Sequence, residues 1–122
     1  MSVVFKPGET NYICTDLERS LRFYQDVLGF TVKEHEGPVA VHIDCAGRPF
    51  LLLAVAKIPL ANLPYCETPT ISFDLLVPDI GEAVGHFRAF NVEFESSWGK
   101  GDSHVFIKDP DGLVIEVIQE EK

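Results

Sequence analysis

At 122 residues with 46% hydrophobic content, the chain has the length of one domain and can bury an ordinary globular core. Its formal charge of −9 argues against the basic patch that phosphate backbones and anionic lipid surfaces attract, so neither nucleic acid nor membrane is expected as a partner. Its longest apolar run, Phe50 to Ala56, is too short to span a bilayer.

Residues 9–15 read as a strand, and Asp16 is a good N-cap for a helix running to about Leu28. Leu17, Leu21, Tyr24 and Leu28 form its apolar stripe, and Gly29 supplies a left-handed stop. Phe30 to Lys33 begins a second strand, broken at Gly37-Pro38. Val39, Val41, Ile43 and Cys45 alternate with Ala40, His42 and Asp44, the period of a strand with one apolar face. Gly47-Arg48-Pro49 turns the chain into Phe50–Val55, whose unbroken apolar run suits a strand buried on both faces. Pro59, Pro64 and Pro69 mark residues 57–69 as a linker.

The order then repeats. A strand from Ile71 to Val77 leads to Asp79, with Glu82 as capping-box partner and Ile80, Val84 and Phe87 as the helix stripe. Asn91 is the expected stop. Val92–Glu95, about Ser103–Lys108 and Leu113–Gln119 are three further strands, with Asp109-Pro110-Asp111-Gly112 as a turn. The phrase Asp16-Leu17-x-x-Ser20-Leu21-x-x-Tyr24 recurs as Asp79-Ile80-x-x-Ala83-Val84-x-x-Phe87. The chain is thus an α+β protein of two βαβββ modules, residues 1–56 and 70–122, within one domain spanning 1–122. Each module is too small to bury its own core, and two placed face to face enclose a cleft.

Strand parity puts Glu9 with Asn11, Ser72 with Asp74, and Glu116 with Val114 and Ile118 on the cleft face. Three carboxylates in one cleft repel, and a cation, a positively charged ligand or a retained proton would relieve them. Cys14 falls on the opposite parity and should pack against the helices. His104 starts a strand beside Phe106 and is a candidate acid, base or ligand. His42 shares a polar stripe with Asp44 and reads as structural or solvent-facing; His35 reads as a surface residue, and His86 lies on the helix without a partner in sequence. Ser96 to Ser103 resembles a lid, with two glycines, Lys100 and the single tryptophan, Trp98, which could stack on a planar or cationic ligand. No nucleophile or nucleotide-binding motif is present. Cys14, Cys45 and Cys66 are odd in number and form no C-x-x-C pair. They read as free thiols, and with no signal-like start a cytoplasmic location is expected.

A duplicated βαβββ chain carrying D-L-E-R-S-L-R-F-Y-Q-D-V-L-G-F-T-V and ending in D-P-D-G-L-V-I-E-V-I resembles the vicinal oxygen chelate superfamily. That superfamily includes glyoxalase I, extradiol dioxygenases and bleomycin-resistance proteins. The resemblance covers essentially the whole chain and implies an eight-stranded, incompletely closed barrel-like cleft, often in a homodimer. Metal-dependent members take ligands from the first and fifth strands, usually His, and from the eighth, usually Glu, with a fourth-strand Glu in some. The positions seven before each capping Asp are Glu9 and Ser72 here, the eighth-strand position is Glu116, and the fourth strand offers Phe50 and three leucines. Only Glu116 matches outright, whereas Zn, Ni and Fe(II) sites favour imidazole.

The expected protein is therefore a metal-independent binder of a small organic molecule, cationic or aromatic, with no cofactor. Its ligand-facing residues are Glu9, Asn11, Ser72, Asp74, Trp98, His104, Phe106 and Glu116. The alternative is a divergent lyase, isomerase or dioxygenase. In it Glu9, Glu116 and His104 hold a divalent metal, or Glu116 acts as a general base without one. A structural or regulatory module with no ligand is the third reading.

Overall fold

The computed structural model describes residues 3–60, 65–67 and 69–121. Pro64, one of the expected linker breakers, lies outside them. The chain divides into two compact units, 1–57 and 58–122.

In the first unit, β1 (Thr10–Ile13) leads into α1 (Leu17–Arg22). Asp16 has extended backbone and accepts the Arg19 amide at 3.0 Å, satisfying one of the orphan donors of the first turn. The expected regular helix to Leu28 instead widens into a π-helical turn over Phe23–Val27, marked by the Leu28 amide donating to the Phe23 carbonyl. This turn carries two successive buried aromatics, Phe23 and Tyr24. Gly29, at φ +75°, ends the segment as expected.

Three antiparallel-linked strands follow: β2 (Thr31–Glu36), β3 (Ala40–Cys45) and β4 (Arg48–Leu53). The sheet order is β1-β4-β3-β2, with β1 parallel to β4. The turn between β3 and β4 sits at Ala46 and Gly47, both at positive φ, so Arg48 and Pro49 already belong to β4. Asp44 stabilises that turn by accepting the Gly47 amide at 2.8 Å. Tyr12, Val41, Ile43, Phe50 and Leu52 form the buried face with Tyr24 and Phe30. The rings of Tyr12 and Phe50 lie 4.9 Å apart, and those of Tyr12 and Tyr24 5.0 Å apart. β4 is not buried on both faces as expected: Leu51 and Leu53 are half-buried. Cys14 is buried, matching its parity.

The second unit repeats the order with one element reduced. β5 (Phe73–Val77), α2 (Ile80–Ala89), β6 (His104–Lys108) and β7 (Val114–Gln119) form the sheet β5-β7-β6, with β5 parallel to β7. Asp79 caps α2 through the Glu82 amide at 3.0 Å, and Asn91 adopts the left-handed stop at φ +57°. Val92–Glu95, expected as a strand, shrinks to a single bridge between Phe94 and Ile107. Two backbone bonds flank it, from Glu95 to Phe106 and from Lys108 to Glu93. The described residues therefore hold seven strands, not eight.

The Asp109–Gly112 turn explains the buried carboxylate of Asp109. Asp109 Oδ1 accepts the amides of Asp111 and Leu113 at 3.0 and 2.8 Å, and Gly112 takes φ +94°. The carboxylate thus pins the turn from inside. Across the unit, Ile80, Val84 and Phe87 of α2 and Val105, Ile107, Ile115 and Val117 of the sheet are buried together.

Two stability changes are expected. Ser20 is fully buried in α1 and its Oγ has no hydrogen-bond partner among the described residues, while the repeat places Ala83 at the matching position. Ser20→Ala should raise unfolding free energy by about 1 kcal/mol, because an unsatisfied buried hydroxyl is removed. Gly85 is exposed inside α2 and an added Cβ meets nothing within 4 Å. Gly85→Ala should add about 1 kcal/mol through helix propensity. Urea denaturation checks both.

Candidate functional site

Each sheet carries its helix on one face, and alternation sends every second side chain to the other. In the second unit, register aligns Asp74, Glu116 and Phe106 in one row across β5, β7 and β6. Leu76, Ile118 and His104 form the next row. Glu116 and Phe106 are half-buried, and Asp74 is exposed. Neighbouring strands stand about 5 Å apart, so two carboxylates sit side by side, an arrangement that destabilises a sheet when nothing lies between them. Neither Asp74 nor Glu116 forms an ion pair with any described residue.

Phe106 is ringed by aromatics. The His104 ring meets it edge-on at 5.5 Å, and the Tyr65 ring lies at 5.4 Å. Tyr65 also shares a hydrogen bond with Ser72, hydroxyl to hydroxyl at 3.2 Å. Sequence reading missed Tyr65 because it sits in the aperiodic stretch before β5, where no alternation assigns a face. Ser72, Asp74, His104, Phe106 and Glu116 thus come together on one sheet surface.

Trp98 is placed differently. Its Nε1 donates to the Asp102 carbonyl at 3.2 Å, and the Gly99 amide donates to the Asp102 carboxylate at 2.9 Å. The loop closes on itself, with the half-buried indole as part of that closure.

In the first unit, the open face carries Asn11, Leu51, His42 and Glu34 in one row. Glu9, just before β1, contacts His42 Nδ1 at 2.6 Å, and Glu36 contacts Nε2 at 3.0 Å. His42 is therefore not simply solvent-facing; it joins two carboxylates. What brings Glu36 there is a bulge in β2. Val32 pairs with Ile43, yet the next pair is Glu34 with His42, which leaves Lys33 as the extra residue. Unbroken alternation would have put Lys33 and His35 on this face instead of Glu34 and Glu36. The Glu9 bond first and the Glu36 bond second raise the His42 pKa above the ordinary imidazole value, against a smaller opposing effect of desolvation.

The donor set for a metal can now be stated. Glu9 is engaged by His42, Ser72 by Tyr65, and the fourth strand presents Leu51 and Leu53 on the open side. Glu116 is a carboxylate beside Asp74, and His104 lies one row away. Among the described residues, no group of three or more His, Cys, Asp or Glu side chains is arranged to hold a metal ion. No helix among them is long and apolar enough to cross a membrane.

Each unit thus places a capped helix on one face of its sheet, and Glu116 stands mid-way along β7 in the row of Asp74 and Phe106. The sequence model of the Glyoxalase/Bleomycin resistance protein/Dioxygenase superfamily matches residues 6–117, and the chain belongs to that superfamily. Its fold is similar to that of lactoylglutathione lyase from Agrobacterium tumefaciens, with a TM-score of 0.68, 23% identity, and 93% of this chain and 92% of that one covered. It is also similar to the genomically encoded fosfomycin resistance protein FosX from Listeria monocytogenes, with a TM-score of 0.73, 16% identity, and 98% and 94% covered. Identities this low speak for the fold and not for a shared reaction. No curated protein matches the chain in sequence.

The raised pKa of His42 sets a pH dependence. A group with a higher pKa in the folded state stabilises fully below its unfolded pKa of about 6.5 and loses that contribution as pH rises through the folded value. The melting-temperature advantage of the parent protein over His42→Gln should therefore be largest near pH 5.5–6 and shrink above about pH 6.5. Calorimetry of the two proteins across that range measures it.

Proposed function

We propose that this chain is a small-molecule-binding member of the superfamily that works without a metal and holds a small organic cation, or a flat aromatic ligand, on an acidic sheet face. The observation that carries the reading is the Asp74–Glu116–Phe106 row, with Tyr65 against Phe106. Two adjacent carboxylates without a cationic partner among the described residues favour a positive charge between them, and an aromatic face beside them adds cation–π attraction of about 0.5–2 kcal/mol. Metal independence rests on the donor chemistry: a carboxylate held by imidazole, a serine held by tyrosine, and leucines where a further acid would stand. Cys14, Cys45 and Cys66, none of them in a disulfide, accord with work in the reducing cytoplasm. We take the working form to be a homodimer, the common assembly of this architecture.

The competing reading is a lyase, isomerase or dioxygenase that uses Glu116. It is favoured by one feature, the half-buried position of Glu116 next to a second acid, which suits a proton acceptor.

Benzamidine and its neutral isostere benzamide separate these ideas by calorimetric titration. Benzamidinium should bind at least about tenfold more tightly than benzamide, a difference of about 1.4 kcal/mol. Glu116→Gln or Phe106→Ala should remove most of that preference. Equal binding of the two probes would sink the cation reading. A stoichiometric transition metal in chelator-free protein, absent from Glu116→Gln, would overturn metal independence.

A further inference from the structure

Tyr65 comes to the open face of the second unit's sheet from outside the strands. Its hydroxyl meets that of Ser72 at 3.2 Å, and its ring lies 5.4 Å from the Phe106 ring. Ser72 immediately precedes β5 and Phe106 belongs to β6, the two outer strands of this sheet. The tyrosine therefore bridges the outer strands, with the Asp74–Glu116 pair in the same row as Phe106. The chain turns directly after it, at Cys66, whose φ of +70° is uncommon for a residue other than glycine.

A phenylalanine at 65 would supply the same ring contact, so the hydroxyl needs its own account. Two hydroxyls bring two hydrogens to their meeting, and a single bond uses one of them. Whichever oxygen donates, one O–H is left over, and neither hydroxyl bonds to any further group among the described residues. The pair is thus a neutral donor beside groups of other character. Asp74 and Glu116, as carboxylates, only accept. The Lys108 ammonium is held by Glu93 and Glu95, and His104 stands on the far side of the acid row. Ser72 and Asp74 are two residues apart, roughly 6.5–7 Å of extended chain. That separation suits one aromatic ring with a substituent.

We infer that the Tyr65–Ser72 hydroxyl pair determines specificity on this face: the ligand is a small aromatic cation that also carries a neutral oxygen acceptor, such as a carbonyl, one ring away from its charge. The inference rests on the cation reading of the acid row and narrows it. The charge lies between the two carboxylates, the ring rests against Phe106 and Tyr65, and the acceptor takes the spare O–H. A ligand of the same size without the acceptor forfeits that bond, and discrimination follows from the difference.

Calorimetric titration with para-acetylbenzamidine and para-isopropylbenzamidine tests the pair. The probes share their charge and nearly their shape, but only the acetyl group accepts a hydrogen bond. Burial by itself favours the isopropyl compound, so a preference for acetyl reports the hydroxyl. The parent protein should bind the acetyl probe about fivefold more tightly. Each single substitution would leave one O–H in place, so both hydroxyls are removed together. The double variant Tyr65→Phe, Ser72→Ala keeps the aromatic ring and should lose the preference; a folding defect would weaken both probes alike and leave their ratio intact. Equal or reversed affinities in the parent, or an acetyl preference that survives in the double variant, would overturn the inference. Benzamidine against benzamide keeps the two failures apart. A charge preference without an acceptor preference removes the role of the hydroxyl pair alone, whereas no charge preference removes the cation reading and this inference with it.

Discussion

One helix is available to cover each sheet, and a sheet has two faces. That inequality governs the rest of the molecule. In the first unit α1 and its π-helical extension bury Tyr12, Val41, Ile43, Phe50 and Leu52, with Tyr24 completely enclosed. In the second unit α2 does the same for Val105, Ile107, Ile115 and Val117. Burial of such side chains is worth about 1.5–3 kcal/mol each, so this face of each sheet has no freedom to change. The opposite face carries the side chains that the core does not need, and the candidate site residues are among them.

The two open faces solve their charge problem differently. In the first unit, two glutamates share an imidazole, which keeps the arrangement within the protein. A comparable internal solution occurs at the edge of the second sheet, where Lys108 bridges Glu93 and Glu95 at 3.2 Å each. Those bonds, Glu95 first, raise the lysine's pKa and keep it charged. The Asp74–Glu116 row has no such internal counter-charge among the described residues. The contrast is what makes that row the better candidate for an external cation, since the chain neutralises close acid pairs elsewhere with its own side chains.

Much of this was legible in the chain itself. Asp16 and Asp79 announced both helices, Gly29 and Asn91 their ends, and strand parity grouped Glu9 with Asn11 in the first unit and Ser72 with Asp74 in the second. Periodicity works here because N-caps and strand alternation are local, depending on residues three or two apart. It fails where one residue changes the count. The extra residue at Lys33 reverses the facing of Glu34, His35 and Glu36, so one of the two partners of His42, Glu36, was hidden. Likewise, an unbroken apolar run could not reveal that β4 has only one covered face. The length of Val92–Glu95 as β-formers said nothing of how few backbone bonds it could make.

The sequence by itself determined the two-module plan, the position of each cap and the superfamily, because these rest on short-range stereochemistry written twice. Only the tertiary structure decided the chemical company each acid keeps. The bulge in β2 brings Glu36 to His42, the return of Tyr65 to Phe106 and Ser72 adds an aromatic wall, and cross-strand register sets Asp74 beside Glu116. Asp74 and Glu116, like Tyr65 and Phe106, are about forty residues apart, and even the nearer pairs are joined by register and loop path, which no local spacing encodes.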